Sequence, residues 1–120
     1  MKLLEKILVP VNLNTPDNRH LETAVMLASR FNSELILVSV QPDDAKKESV
    51  KLMINKHIES SLAEIAYSLK SKKIITTTRI LYGNTFDQII STSEDENVNL
   101  ILIADNVENT ASKYNIDVVA

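Results

Sequence analysis

The side chains able to do chemistry in this chain are few and scattered. Its two histidines, His20 and His57, have no acid or second histidine at a metal-ligand spacing such as i+4. His20, beside Arg19, falls on the polar side of the first helix, and both histidines read as solvated or structural. Asp87, Glu94, Asp95 and Glu96 form a charged helix end, which reads as a solvated face because nothing places two of them in a cleft as an acid/base pair. Lys46, Lys47 and Lys51 could draw an anion but fit a solvated helix start better. Ser39 has no nucleophile-elbow context and no partnered histidine. With no cysteine in the chain, thiolate chemistry, disulfides and zinc-thiolate sites are excluded. The expectation is a protein that is not an enzyme and holds no metal. Gly83 stands apart, because it is the chain's single glycine. Phosphate-binding α/β domains hold their ligand on glycine-rich turns whose bare N–H groups approach it. One glycine fits either a turn that needs positive φ or a backbone that closes against a ligand across the strand ends.

The elements that must position these residues alternate along the chain. Ile7-Leu8-Val9-Pro10-Val11 has no polar alternation, the mark of a strand buried on both faces. Thr15 is an N-cap and Pro16 a first helical residue, and the helix that follows carries Leu21, Ala24, Val25, Ala28 and Phe31 as a core stripe. Asn32-Ser33 breaks it. A second buried strand covers 34–40 and stops at Gln41-Pro42. From about residue 45 to 70 the helical period returns, with Val50, Ile54, Ile58, Leu62, Ile65, Ala66 and Leu69 on one side. Its length predicts that the first turns project as an exposed or irregular segment. A third strand over 74–81 ends in Gly83-Asn84-Thr85, which caps a helix with Phe86, Ile89 and Ile90; a fourth strand covers 99–104 and a fifth 116–119.

Strict alternation of strand and helix predicts an α/β fold. Its sheet is doubly wound, mainly parallel and five-stranded, with helices on both faces. Such sheets bind ligands at the carboxyl ends of the strands. A chain of 120 residues fits one domain over 1–120, standing alone or as half of a tandem protein. Only residues 105–120 follow Ala104, whereas a loop, a full helix, a second loop and a strand need about 25. The C-terminal part is therefore expected to be shortened, with one or two helical turns over 107–114 or a chain that continues further. The net charge of −3, without a basic block, argues against nucleic acid as a partner. No apolar run approaches the ~20 residues that span a bilayer. No membrane insertion and a cytoplasmic location are expected.

The ordered set Lys6-Ile7-Leu8-Val9-Pro10-Val11-Asn12, Leu21-Glu22-Thr23-Ala24, Val38-Ser39-Val40, Tyr82-Gly83-Asn84 before Ile89-Ile90, and Asn99-Leu100-Ile101-Leu102-Ile103 resembles the universal stress protein family over about residues 5–104. The resemblance implies a five-stranded doubly wound sheet, often a dimer, and in one branch an ATP site. Carried over to this chain, the site's apolar adenine-lining positions are Pro10, Val11 and Val40. Asn12 stands where the nucleotide-binding branch has an Asp that contacts adenosine, so an acceptor is kept and a charge lost. Beyond the fourth strand that branch shows Gly-x-x-Gly, nine residues, then Gly-Ser or Gly-Thr. Here Ala104 to Tyr114 holds no glycine and carries Asp105 and Glu108 instead.

The expectation is a regulatory or interaction domain in stress response that takes no cofactor and acts through dimerisation or partner contact. Its degenerate pocket comprises Pro10, Val11, Asn12, Val40, Gly83 and Ala104. One alternative is an adenine-nucleotide sensor taking ATP or AMP with Mg; another is a cytoplasmic regulatory domain of a transporter. The edge position of a fifth strand leaves Ile116, Val118 and Val119 to be covered. The resemblance implies pairing with a second subunit, as a homodimer or through an intramolecular tandem partner.

Overall fold

Three apolar segments without polar interruption, centred on Ile7-Leu8-Val9, Leu35-Ile36-Leu37-Val38 and Ile101-Leu102-Ile103, are almost completely buried. Only a sheet covered on both faces allows that. A computed structural model describes residues 4–13, 18–43 and 47–104 and the backbone of 118–119. The elements in chain order are β1 (Lys6–Pro10), α1 (Arg19–Phe31), β2 (Glu34–Gln41), α2 (Glu48–Lys70), β3 (Thr76–Tyr82), α3 (Thr85–Glu96), β4 (Leu100–Leu102) and β5 (Val118–Val119). The sheet order is β3-β2-β1-β4-β5, and all its pairings are parallel.

Each face has its own core. Ile7, Val9, Val11, Leu35, Leu37 and Leu102 meet Ala24 and Ala28 of α1 and Ile58, Leu62 and Leu69 of α2. The alternate residues Leu8, Ile36, Val38, Ile101 and Ile103 meet Ile89 of α3, with Val40, Leu81, Phe86 and Val98 packed against them. One strand thus feeds two apolar layers, as the doubly wound reading requires.

The helices end where the sequence has its breaks, with two corrections to their faces. Asn32 is left-handed and its N–H returns to Ala28 O, which closes α1 in the usual αL manner. Asn84 accepts a hydrogen bond from the Asp87 N–H at 3.1 Å and so caps α3. The described part of the first helix starts at Arg19 with Asn18 in the cap position; Thr15 and Pro16 lie outside the described residues. Phe31, expected in the core stripe, is 40% exposed, because it is the last residue of α1. His20, expected on the polar side, is only 7% exposed: it stands four and eight residues before Ala24 and Ala28, on the line that faces the sheet. The projecting start expected for α2 is present, with Val50, Leu52 and Met53 exposed. The turns expected over 107–114 lie outside the described residues.

Candidate functional site

The carboxyl ends of β1 and β4 flank the point where the strand order reverses, since β2 and β3 build outward on one side of β1 and β4 and β5 on the other. Backbone direction along β1 explains why the sheet opens there. Odd residues face β2: the Glu34 N–H donates to Glu5 O at 2.7 Å and the Val11 N–H to Val38 O at 2.8 Å. Even residues face β4: the Asn99 N–H donates to Lys6 O at 2.9 Å. Pro10 belongs to the β4-facing set and has no N–H to give. The pairing of β1 with β4 runs only through Ile7↔Leu100 and Leu8↔Ile101. The Pro10 carbonyl is met by His20 Nε2 at 2.7 Å. A carbonyl only accepts, so Nε2 carries the proton and donates. The buried ring therefore ties the first turn of α1 to the end of β1.

The pocket residues expected from the sequence separate into three groups. Pro10, half-buried, and Asn12 and Ala104, both exposed, lie at the ends of β1 and β4 on either side of the switch point. Val40 lies half-buried on the neighbouring β2 and packs against the α3-side core. Val11 is turned into the core on the α1/α2 side and is 6% exposed, so its side chain belongs to that core. Gly83 follows β3, whose Tyr82 pairs with Gln41 of β2. With β2 interposed, Gly83 stands two strand spacings, about 9.6 Å, from the line of β1. Its φ of +125° accounts for the glycine through the turn alone. Its N–H donates to Gln41 O at 3.0 Å.

Residues 4–114 match the universal stress protein family. The chain belongs to that family. Solved structures of similar proteins carry the same fold. A family protein from Burkholderia pseudomallei is 14% identical, with a TM-score of 0.85 over 99% of this chain and 96% of that one. The universal stress protein of Archaeoglobus fulgidus in complex with dAMP is 14% identical, with a TM-score of 0.74 over 98% and 97%. UspA of Lactobacillus plantarum is 16% identical, with a TM-score of 0.66 over 97% and 96%. No curated protein matches the chain.

The remaining polar groups of this universal stress protein divide between solvent and its frame. His57 is exposed on α2. Ser39 is buried and its Oγ accepts from Gln41 Nε2 at 3.0 Å. Asp87, Glu94 and Asp95 are exposed, as a solvated helix end should be. Glu96 departs from that reading: half-buried, it pairs with Arg79 of β3 and lies 3.6 Å from Lys6 Nζ, joining α3 to two strands. Among the described residues no group of His, Cys, Asp and Glu is arranged to hold a metal ion, and no helix is long and apolar enough to cross a membrane. Lys46, Asp105, Glu108 and the side chains of Ile116, Val118 and Val119 lie outside the described residues. His20 is the site residue that sequence reasoning misplaced, although its spacing to Ala24 and Ala28 was the available signal. Glu96 gave none, because its partners are remote in sequence.

Proposed function

We propose that the chain, whose family membership supports a stress-related role, acts as a regulatory and interaction module, without enzymatic activity and without holding ATP by its phosphates. The placement of Gly83 carries this reading. The only glycine in the chain serves a turn two strands from the switch point, so no glycine backbone is left there to cradle a phosphate. Pro10 adds to the deficit by lacking an N–H. Asp105 and Glu108, beyond β4 in sequence, would oppose phosphate charge.

A second reading draws on the dAMP bound by the Archaeoglobus neighbour. Pro10, Asn12, Val40 and Ala104 would then form the surviving adenine half of a nucleotide site, with magnesium and ATP or AMP as ligands. Calorimetric titration separates the two. We expect ATP with Mg²⁺ to bind more weakly than about 0.1 mM, a free energy of only about −5.5 kcal/mol. A micromolar dissociation constant, or nucleotide released on denaturing the purified protein, refutes the first reading. In that reading the cytoplasm is the compartment and a second copy, or a tandem half, is the partner, meeting this chain at β5.

A further inference from the structure

The sheet has a second edge, β3, and its backbone is built to be paired. The Leu35 N–H donates to Ile75 O at 2.9 Å and the Gly83 N–H to Gln41 O at 3.0 Å, so the odd residues of β3 direct their backbone groups to β2. By alternation, Thr76, Thr78, Ile80 and Tyr82 direct theirs to the outer side, where no further strand of the described residues lies. Natural edges are blunted by charged side chains, proline, a bulge or shortness. This edge, Thr76-Thr77-Thr78-Arg79-Ile80-Leu81-Tyr82, has no proline, its pairing with β2 runs unbroken from Leu35↔Thr76 to Gln41↔Tyr82, and its one charge, Arg79, is paired with Glu96. Thr77 and Thr78 are exposed. Large apolar side chains stand exposed at both ends, Ile75 at 72% and Tyr82 at 36%.

We propose that β3 pairs antiparallel with β3 of a second copy of this chain, about a two-fold axis at Arg79. Only that register joins every outward group to another outward group: Thr76 then exchanges hydrogen bonds with Tyr82 of the copy, and Thr78 with Ile80. A two-fold at Thr77 or Thr78 leaves Tyr82 without an outward partner on β3. Arg79 would face its own copy in a close non-hydrogen-bonded pair, where like charges destabilise. The Glu96 carboxylate already pairs with that guanidinium on the α3 side, which removes the obstacle. The opposed pair Thr76 with Tyr82 is an aromatic and β-branched pair, a type favoured across strands, and Thr78 with Ile80 joins two β-branched residues of high strand preference. The same register sets exposed Ile75 against Gly83 of the copy, where no side chain competes for the space.

The test uses the full chain carrying Val118→Lys, which removes the contact proposed at β5, so that failure of one interface is not read as failure of the other. The chain contains no cysteine, so a single introduced thiol reports alone. Across the two-fold, residues at position 79 have Cα atoms about 4.5 Å apart, within bridging range. Those at 77 are offset by about 13 Å. With glutathione disulfide at tens of micromolar protein, Arg79→Cys is expected to form disulfide dimer at least tenfold faster than Thr77→Cys. Adding Thr78→Pro, which removes an outward N–H but no bond to β2, should bring the two rates together. Equal rates for the two single cysteines, or a Val118→Lys chain that sediments as a monomer at about 100 µM, overturns the proposal. Either result would leave the edge to a strand from a different protein.

Discussion

Removing the imidazole that holds the end of β1 is the sharpest perturbation of the site. His20→Ala leaves the Pro10 carbonyl without the donor that now lies 2.7 Å away. A part-buried acceptor left without its donor costs toward the lower end of roughly 1–3 kcal/mol, and the space left by a ring that is 7% exposed adds a packing loss of about 2 kcal/mol. Together the cost is about 3 kcal/mol. For 120 residues the unfolding entropy is about 0.25 kcal/mol per kelvin, so Tm should fall by about 12 °C. His20→Gln keeps a donor on a side chain of similar reach and should lose about 1 kcal/mol, or ~4 °C. Thermal melts followed by far-UV circular dichroism, with urea denaturation as a second measure, decide it. A His20→Ala protein melting within ~2 °C of the parent, or a His20→Gln protein less stable than His20→Ala, would refute the clamp.

Gly83→Val should cost about 1–3 kcal/mol in urea denaturation, because φ is +125° and an added Cβ would stand 3.3 Å from Gln88 Nε2; a neutral result would mean that the turn relaxes freely. If adenosine binds at all, Asn12→Ala should weaken it about fivefold or more, the size of one lost hydrogen bond, and unchanged calorimetric affinity would move the site elsewhere. The parent chain should sediment at or above the 2 × 13.4 kDa of a dimer. Val118→Lys places an unpaired charge at β5 and should break that contact, leaving the dimer paired at β3 as the largest species, whereas a clean monomer in the unmodified chain would remove dimerisation from the proposed function.

Much of the fold was legible because its strongest signals are local. Ile7-Leu8-Val9 and Leu35 to Val38 lack polar alternation, and only a sheet covered on both faces accommodates that. Asn32, and Gly83 with Asn84, end or begin elements through their own backbone preferences. The misreadings share a cause, since each depended on where an element ends or on a partner far away in sequence. Phe31 has the right helical phase, yet it is the residue at which α1 stops. Glu96 looks like one more solvated acid until the fold brings Lys6 and Arg79 to it. The candidate site was legible as a location, the strand ends, but its internal division was not. Val11 and Pro10 are adjacent in sequence, and the two-residue period of a strand sends them to opposite sides.

That division bears on what the switch point can bind. Sheets of this class draw ligands there because strand-end N–H groups and helix N-termini supply positive potential. On β1 the residue whose N–H would face β4 is Pro10, which has none, and its carbonyl is occupied by His20. The next N–H along, that of Val11, is bound to Val38 O. At its carboxyl end β1 itself thus presents the apolar ring of Pro10 in place of a backbone N–H. Such a surface suits a flat, uncharged ring better than an anion, and any phosphate would have to be met by other parts of the molecule. An adenine half-site and a missing phosphate half are therefore compatible readings of one geometry. The measurement that tells a missing phosphate half from a working one is whether phosphates add to the affinity of adenosine: on the proposed reading adenosine, AMP and ATP should bind about equally weakly, whereas a working phosphate site would rank ATP far ahead.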